Sequence, residues 1–209
     1  YNGKIPRNPF AMYHVDPDHK EREFLTLDEL TAMTEIKLED PNMAFARDLF
    51  IFGCWTGISF IDIKNLTEDN ISMINGAPWI VSKRQKTGVP FQIKLMDIPM
   101  QIIGRYKPLR KGSHLFNIGN LDSINKRIKK IAVMCSIKKR ISYHVSRHSF
   151  AVLSLEYGMP IETVSKILGH TNITTTQIYA KVTSSKLEHD ISVFESRIKG
   201  HLPTMGGMA

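Results

Sequence analysis

Two helical patterns of apolar and polar residues open the part of the chain that follows residue 22. Residues 26–29, Thr-Leu-Asp-Glu, have the arrangement of a capping box, in which a hydroxyl and a carboxylate satisfy free backbone donors at a helix start. This pattern predicts a helix over residues 27–37. Asp40-Pro41 marks a second helix start, and an apolar pattern continues to Gly57, a residue type that commonly ends helices. We expect this second helix to be central and buried.

The pattern changes between residues 70 and 97, where β-branched and aromatic residues form short runs. The turn dipeptides Asn75-Gly76 and Thr87-Gly88 separate three such runs. Strands joined by short turns pair with their neighbours in sequence. We therefore expect a small three-stranded antiparallel meander in this segment.

Helical spacing returns in the second half of the chain. Isoleucines recur at positions 124, 128 and 131, a further segment begins at Pro160 and ends at Gly169, and a last amphipathic segment covers about residues 183–199. The apolar residues of this last segment are spaced for one helix face. The expected fold class is mainly α with a small three-stranded antiparallel β-sheet, that is, α+β.

The composition fits one globular domain with an anionic partner. A chain of 209 residues is long enough for one sizeable core, and its apolar runs fall short of the ~20 residues that span a bilayer. Lys and Arg number 28 against 20 Asp and Glu, a net charge of +8, which favours a polyanion such as nucleic acid. Cys54 and Cys135 both lie in helical patterns, so we expect a reducing compartment and neither a disulfide scaffold nor a thiolate zinc site.

Much of the positive charge is concentrated between residues 126 and 140. A solvated helix face is a common explanation for such charge. Because this stretch contains no acidic residue that could form helical ion pairs, we favour contact with a phosphate backbone. The predicted DNA-binding residues are Lys126, Arg127, Lys129, Lys130, Lys138, Lys139 and Arg140.

An ordered set of chemically active residues lies in the last third of the chain. His144 and Arg147 are three residues apart, which places both side chains on one helix face. Leu168-Gly169-His170 follows, and Tyr179 comes after it in the segment Thr-Thr-Thr-Gln-Ile-Tyr. The order of the set is more specific than any of its members.

Each member taken alone has an ordinary structural explanation. A histidine after a glycine, such as His170, can cap a helix C-terminus, and a helical tyrosine such as Tyr179 is usually a packing residue. His144 and His148 are spaced as a zinc pair, but Val145 stands where a metallohydrolase helix has glutamate. We therefore expect no metal site.

The ordered set resembles the catalytic domain of the tyrosine recombinase, or phage integrase, family. That domain carries an arginine, a hairpin lysine, a His-x-x-Arg pair, a Leu-Gly-His segment and a nucleophilic tyrosine in this order, and the resemblance covers residues 23–199. The resemblance implies that Tyr179 is the nucleophile and that Arg147 and His170 bind the scissile phosphate. It also implies that His144 is a phosphate ligand or a base, and that Lys86, in the predicted hairpin, is the general acid.

One position departs from the family pattern. Ser59 stands where the family has its first catalytic arginine. A serine here, together with an Arg-x-Lys-Thr hairpin, resembles the integrases of Bacteroides-type conjugative or mobilizable transposons. A guanidinium stabilises the charge of a pentacoordinate phosphorane, and serine carries no charge. Our first candidate for a replacement is Arg84, on the same strand face as Lys86, and the second is Arg47, on the helix that leads to Gly57.

The resemblance implies a site-specific DNA recombinase that integrates or excises a mobile element. The tyrosine would attack the scissile phosphate to form a 3′-phosphotyrosyl link and a free 5′-hydroxyl, which conserves the bond energy and requires no ATP, metal or other cofactor. The implied partners are double-stranded DNA at attachment sites, further copies of the chain in a tetrameric synapse, and DNA-bending factors from the host or the element. The implied location is the bacterial cytoplasm, with the nucleoid and without membrane contact.

Two other functions stay open at this point. A type IB topoisomerase shares the Tyr, Arg, Lys and His chemistry but only relaxes supercoils. A DNA-binding regulator could keep the fold and lack catalysis, and Ser59 is the observation that favours it. A covalent protein–DNA adduct separates the regulator from an enzyme.

The domain organisation follows from the same resemblance. Residues 1–22, which are rich in proline and have no apolar period, are expected to link the chain to a core-binding domain that precedes it. The catalytic domain would cover residues 23–199. Its C-terminal helix, over about 183–199, would dock either on its own domain or on a neighbouring subunit. Residues 200–209 are expected to form a flexible tail.

Overall fold

The computed structural model describes residues 23–180 and 184–199. The predicted linker over residues 1–22 and the predicted tail over residues 200–209 lie outside these ranges. Within them the chain forms nine α-helices and one sheet. The helices are α1 (Leu27–Glu35), α2 (Pro41–Thr56), α3 (Phe60–Lys64), α4 (Asp97–Tyr106), α5 (Leu121–Met134), α6 (Tyr143–Glu156), α7 (Ile161–Leu168), α8 (Thr174–Gln177) and α9 (Ser184–Ile198), and the strands are β1 (Ile71–Ile74), β2 (Ala77–Lys83) and β3 (Pro90–Lys94).

The helix boundaries follow the local sequence signals. The predicted capping box is present: the Thr26 N–H donates to Glu29 Oε2 at 2.8 Å, and the Glu29 N–H donates to Thr26 Oγ1 at 3.3 Å. The Asp40 side chain caps α2, and Gly57 follows the helix in the left-handed conformation with a φ of 63°. Helix α1 ends at Glu35, slightly before the predicted end.

The strands form the predicted antiparallel meander, in the order β1-β2-β3. Asn75 and Gly76, which join β1 to β2, have φ angles of 50° and 75°, as a tight hairpin turn requires. The longer connection, residues 84–89, begins after Lys83, which pairs with Pro90. The fold is therefore mainly α with one three-stranded antiparallel sheet among the described residues, and the predicted fold class is confirmed.

Helix α2 is the centre of the core, as its apolar pattern predicted. It packs against α1, α4, α5 and α6, and its Leu49, Phe50 and Phe52 are fully buried. A smaller apolar cluster joins α6 to α7 and includes Tyr179. In the part of the chain that the structure describes, no helix has the length and apolar character needed to cross a membrane.

Helix α4 had no counterpart among the predicted elements. Pro99 lies in its first turn, where the backbone N–H that proline lacks has no partner within any helix. Ile102 and Ile103 then bury the inner face of α4. In the sequence, these two adjacent isoleucines, followed by polar residues, were the feature from which α4 could have been predicted.

The junction between α2 and the smaller apolar cluster depends on Gly57. A Cβ at this position would lie 2.5 Å from Phe150 Cδ1 and 2.9 Å from Leu168 Cδ2. A left-handed backbone costs alanine about 1–2 kcal/mol, and overpacking adds about 1–3 kcal/mol. We expect Gly57→Ala to lower the free energy of unfolding by about 2–5 kcal/mol in a urea titration.

Gly76→Ala is the matched control for this prediction. Gly76 has a φ of 75° and no atom within 4 Å of an added Cβ, so its replacement retains the backbone cost without the contact. Equal losses of stability from the two substitutions would show that close packing at Gly57 is unimportant.

Candidate active site

Arg147 lies where three elements of the fold meet. Arg147 is a residue of α6. Its Nη1 donates to the carbonyl of Gly57, at the end of α2, at 2.7 Å, and its Nη2 donates to the carbonyl of Leu168, at the end of α7. The same Nη2 lies 3.2 Å from Nε2 of His170. The structure therefore brings Arg147 and His170 together and holds the guanidinium in one orientation.

Thr176 holds His170 from the other side of its ring. Nδ1 of His170 lies 2.8 Å from Oγ1 of Thr176, which is fully buried. An arginine N–H can only donate, so the contact with Arg147 requires a lone pair on Nε2 and places the ring proton on Nδ1. Thr176 thus accepts from Nδ1 and, together with Arg147, holds the ring of His170 in one orientation, a role that the sequence motifs did not indicate.

Tyr179 lies in the turn that follows α8. Its ring belongs to the smaller apolar cluster with Phe150 and Leu168, and the residue is 7% exposed. Its hydroxyl lies 2.7 Å from Nδ1 of His148 on α6. The tyrosine is therefore held by packing around its ring and by a hydrogen bond at its oxygen.

His148 lies next to Tyr179 in the candidate site, although the ordered motif did not identify it. It is 6% exposed and follows Arg147 directly. Its ring centroid lies 4.3 Å from that of His144, one helical turn earlier. That spacing was the available signal, but it suggested a zinc pair. Among residues 23–180 and 184–199, no group of three His, Cys, Asp or Glu side chains could hold a metal ion.

The side chain of Arg84 leaves the β2–β3 connection and reaches the end of α7. Its Nη2 donates to the carbonyl of Ile167 at 2.5 Å, next to the Leu168 carbonyl that accepts from Arg147. A Cβ at Gly169 would lie 2.7 Å from Arg84 Nε, so the absence of a side chain there permits the approach. Consecutive carbonyls therefore hold the two guanidinium groups, where the dipole of α7 is negative.

Asp62 on α3 fixes the position of Arg84. Its Oδ2 accepts from Arg84 Nη1 at 2.9 Å and from the Ser59 hydroxyl at 2.6 Å. Its Oδ1 accepts from the Gln85 N–H at 2.9 Å. Ser59, where the family pattern has arginine, is the N-cap residue of α3. The hydroxyl at this position therefore supports the carboxylate that orients Arg84.

We call the polar residues that meet at this site, together with Tyr179, the cluster, and it contains more positive than negative charge: its members are Arg84, Arg147, His144, His148, His170, Asp62 and Tyr179. Burial, together with repulsion from Arg84, lowers the pKa of Arg147 to about 10. Burial also lowers the pKa of Arg84, although the hydrogen bond and charge of Asp62 oppose this shift. Both guanidinium groups stay protonated at neutral pH, and the ion pair with Asp62 neutralises one of them. The remaining charge suits an anion such as a phosphate.

Lys86 and His144 are both exposed. Lys86 lies in the turn of the β2–β3 connection. Two backbone hydrogen bonds close this turn: the Arg84 N–H donates to the Val89 carbonyl at 2.8 Å, and the Gly88 N–H donates to the Arg84 carbonyl at 2.7 Å. His144 lies in the first turn of α6. An external ligand can therefore reach the side chains of Lys86 and His144.

Arg47, the second candidate for the missing arginine, lies apart from Arg84 and Arg147 and bonds to other groups. Its guanidinium donates to the carbonyls of Ile36 at 2.8 Å and Thr34 at 3.3 Å, and to Asp48 at 2.8 Å. These bonds hold the end of α1 against α2. Along α2, Arg47 is about 15 Å from Gly57.

The predicted basic stretch divides into exposed and structural residues. Lys139 donates to Glu29 Oε2 at 2.5 Å and to the Phe24 carbonyl at 2.9 Å, which ties the loop before α6 to the start of α1. Arg127 is half-buried and donates to the Ser123 hydroxyl one turn away. The exposed members are Lys126, Lys129 and Lys130 on α5, and Lys138 and Arg140 in the loop before α6.

The sequence also matches a known family over most of its length. The profile described as Phage integrase family matches residues 23–186. The chain belongs to the phage integrase family. The family resemblance that the ordered motif indicated is thus confirmed.

The relatives of this phage integrase domain include recombinases of staphylococci. The tyrosine recombinase XerD of Staphylococcus aureus is 29% identical over 191 residues, which cover 86% of this chain and 65% of XerD. XerD of Staphylococcus saprophyticus is 27% identical over 195 residues, with the same coverage of 86% and 65%. The chain thus spans about 65% of the length of these curated relatives.

Solved structures of several recombinases and integrases share the fold of this phage integrase domain. The XerH site-specific recombinase, bound to palindromic difH substrate in a post-cleavage complex, matches with a TM-score of 0.67 at 20% identity, over 82% of this chain and 52% of XerH. The Tn1549 transposon integrase in complex with transposon right end DNA matches with a TM-score of 0.66 at 19% identity, over 90% of this chain and 72% of the integrase chain. The catalytic domain of bacteriophage HP1 integrase matches with a TM-score of 0.58 at 20% identity, over 82% of this chain and 95% of the HP1 domain.

Proposed function

We propose that this chain is the catalytic domain of a site-specific DNA recombinase that cuts and rejoins strands through a 3′-phosphotyrosyl intermediate. The observation that carries the proposal is the convergence of Arg84, Arg147, His170 and Tyr179 at the end of α7. A phosphodiester can bind the cationic groups while the tyrosine supplies the nucleophile. The proposed domain covers residues 23–199, after a linker over residues 1–22 from a core-binding domain.

The charge of the cluster suits the chemistry of phosphodiester cleavage. A phenol with a reference pKa near 10 is only ~0.1% ionised at pH 7, so nearby cations favour its attack. As the Tyr179 oxygen bonds to phosphorus, the 5′-oxygen departs, and Lys86 protonates it, a contribution of typically ~10²–10⁴-fold. One phosphoester bond replaces another, so rejoining requires neither ATP nor a metal.

Arg84 supplies, in this proposal, the guanidinium that Ser59 lacks. Three observations support the assignment. Arg84 is buried at 6% exposure and paired with Asp62 at 2.9 Å. It bonds the carbonyl next to the one that holds Arg147. Repulsion from its charge contributes to the lowered pKa of Arg147, as expected for two cations held by consecutive carbonyls.

Double-stranded DNA at attachment sites is the proposed substrate. The chain has a net charge of +8, and the exposed lysines of α5 form a stripe on one element. Fixed cations of this kind position a phosphate backbone without reading its sequence. The XerH and Tn1549 integrase structures that share the fold contain DNA, which supports the same class of ligand here.

An exposed apolar face on α9 supports assembly of several chains on DNA. Leu187, Ile191 and Phe194 recur at helical spacing and are 54%, 50% and 60% exposed. Exposed apolar patches of this kind are typical of surfaces that bind another protein. We place it on a neighbouring subunit within a tetrameric synapse, so that cleavage depends on assembly.

The proposed biological setting is a mobile element in a bacterial cell. Ser59 and the Arg84-x-Lys86-Thr87 hairpin are the residues that support an integrase of the Bacteroides-type transposon class. Integration and excision would take place on nucleoid DNA, with DNA-bending factors from the host or the element as further partners.

A catalytically silent DNA-binding regulator is the second candidate. Ser59 favours it, because the family's first catalytic arginine is absent there. The two candidates share the fold, the charge and the DNA ligand. They differ in whether Tyr179 forms a covalent bond with DNA.

The covalent intermediate is the direct test of the proposed function. The full-length protein, incubated in EDTA with a nicked duplex that carries the end sequence of its element, should yield a protein–DNA adduct that survives denaturation. Tyr179→Phe should abolish the adduct and retain DNA binding at the same salt concentration. DNA binding without any wild-type adduct would identify the regulator instead.

The same assay tests whether Arg84 replaces the missing arginine. Arg84→Ala should slow adduct formation by roughly 10²–10³-fold, the usual cost of losing one group that stabilises transition-state charge. Arg47→Ala should instead lower the thermal midpoint, since its guanidinium joins α1 to α2. A larger loss of cleavage in Arg47→Ala than in Arg84→Ala would refute the assignment.

The exposed lysines of α5 should control the salt dependence of DNA binding. Each lost phosphate contact reduces the slope of log K against log salt by about 0.9, so the triple variant Lys126→Ala, Lys129→Ala, Lys130→Ala should lose about 2–3 units of slope. Lys139→Ala is the matched control, because Lys139 pairs with Glu29. It should reduce stability and leave the slope unchanged, and equal slopes for all proteins would remove α5 from the interface.

A further inference from the structure

His148 and Tyr179 form a close, buried pair. Nδ1 of His148 lies 2.7 Å from the Tyr179 hydroxyl, and the two ring centroids are 5.3 Å apart. The residues are 6% and 7% exposed, and 31 positions separate them in the chain. This distance is that of a short hydrogen bond, along which a proton can move from oxygen to nitrogen.

We propose that His148 is the general base that takes the proton from Tyr179 as the tyrosine attacks DNA. The inference rests on the recombinase function proposed above. Imidazole is the side chain whose proton affinity best suits transfer near neutral pH. A base for the tyrosine is needed because a neutral phenol is a weak nucleophile.

The proton balance of the step is complete. As the Tyr179 oxygen bonds to phosphorus, its proton moves to Nδ1 of His148, and the P–O5′ bond breaks with its electron pair on the 5′-oxygen. Lys86 gives a proton to that oxygen. In rejoining, the 5′-hydroxyl returns this proton to Lys86 as it attacks phosphorus, and protonated His148 returns its proton to the departing Tyr179 oxygen.

The other histidines of the cluster are oriented for different tasks. His170 directs Nε2 toward Arg147 at 3.2 Å and Nδ1 toward Thr176 at 2.8 Å. His144 is exposed in the first turn of α6, where an external ligand can reach it. Nδ1 of His148 lies within hydrogen-bond distance of the tyrosine oxygen, at 2.7 Å.

The surrounding charges make this proton transfer depend on bound DNA. In the protein alone, the excess positive charge of the cluster opposes a further cation on His148. A bound phosphate supplies the negative charge that offsets it, so the base becomes effective when substrate is present. The ionisable groups of the site besides the pair itself are His144, Arg147, His170, Arg84, Asp62 and the buried Tyr143.

The substitution His148→Asn separates proton transfer from positioning. Oδ1 of asparagine is as many bonds from the backbone as Nδ1 of histidine, so the amide can accept a hydrogen bond from Tyr179 but cannot carry its proton. The measurement is the single-turnover rate of adduct formation by the full-length protein between about pH 6 and about pH 9, below the lysine reference pKa near 10.4. His114→Asn, at an exposed histidine before α5, is the matched control.

We expect His148→Asn to bind DNA as the wild type does and to form the adduct roughly 10²–10⁴-fold more slowly near pH 7. The wild-type rate should rise with pH and level off once histidine is neutral. The rate of the variant should continue to rise about tenfold per pH unit toward the tyrosine reference pKa near 10. A variant within about threefold of the wild type, or a slow variant with a parallel pH profile, would overturn the proposal.

The wild-type pH profile decides the question if His148→Asn does not fold. A rate that levels off near neutral pH supports a histidine base, and a rate that rises without a break across the range overturns it. Failure of the wild-type protein to form any adduct would overturn the recombinase function itself. The two failures are therefore distinguishable.

Discussion

The candidate site depends on the carbonyl groups at the end of α7, which hold Arg84 and Arg147 side by side. Gly169 stops the helix there with a φ of 64°, so the Ile167 and Leu168 carbonyls have no helical partner and accept from the guanidinium groups instead. The same glycine leaves room for Arg84. The carbonyls of α7 without a helical partner, the space beside Gly169 that admits Arg84 and the negative end of the α7 dipole therefore lie at the same place in the fold.

A buried guanidinium and a half-buried one, held by neighbouring carbonyls, are electrostatically unfavourable without an anion. Asp62 offsets part of this cost through its pair with Arg84, and removal from water makes the remainder larger than it would be on the surface. The fold maintains the arrangement because α2, α3, α6 and α7 are fixed by the apolar clusters around them. In the proposed reaction, the phosphate supplies the missing negative charge, so binding and charge neutralisation are the same event.

In the proposed reaction, the absence of an arginine at Ser59 is accommodated by a different element of the fold. Stabilisation of a phosphorane requires a cation at a point in space and is indifferent to which strand or helix carries it. At Ser59 a short hydroxyl caps α3 and supports Asp62, and Asp62 in turn orients Arg84 from the β2–β3 connection. The proposed replacement thus uses the same carboxylate as an anchor.

The sequence by itself determined the elements whose signals are local. The capping box of α1, the stop at Gly57 and the Asn75-Gly76 turn each depend on the conformation of a few adjacent residues, and the ordered motif was specific enough to indicate the family. Only the tertiary structure decided which side chains meet. It joined Arg84 to a carbonyl 83 positions away and Tyr179 to His148, 31 positions away, and it assigned Arg47 and Lys139 to structural bonds. The physical reason is that hydrogen bonds and charges act through space, and the path of the chain between distant residues is set by the packing of the whole core.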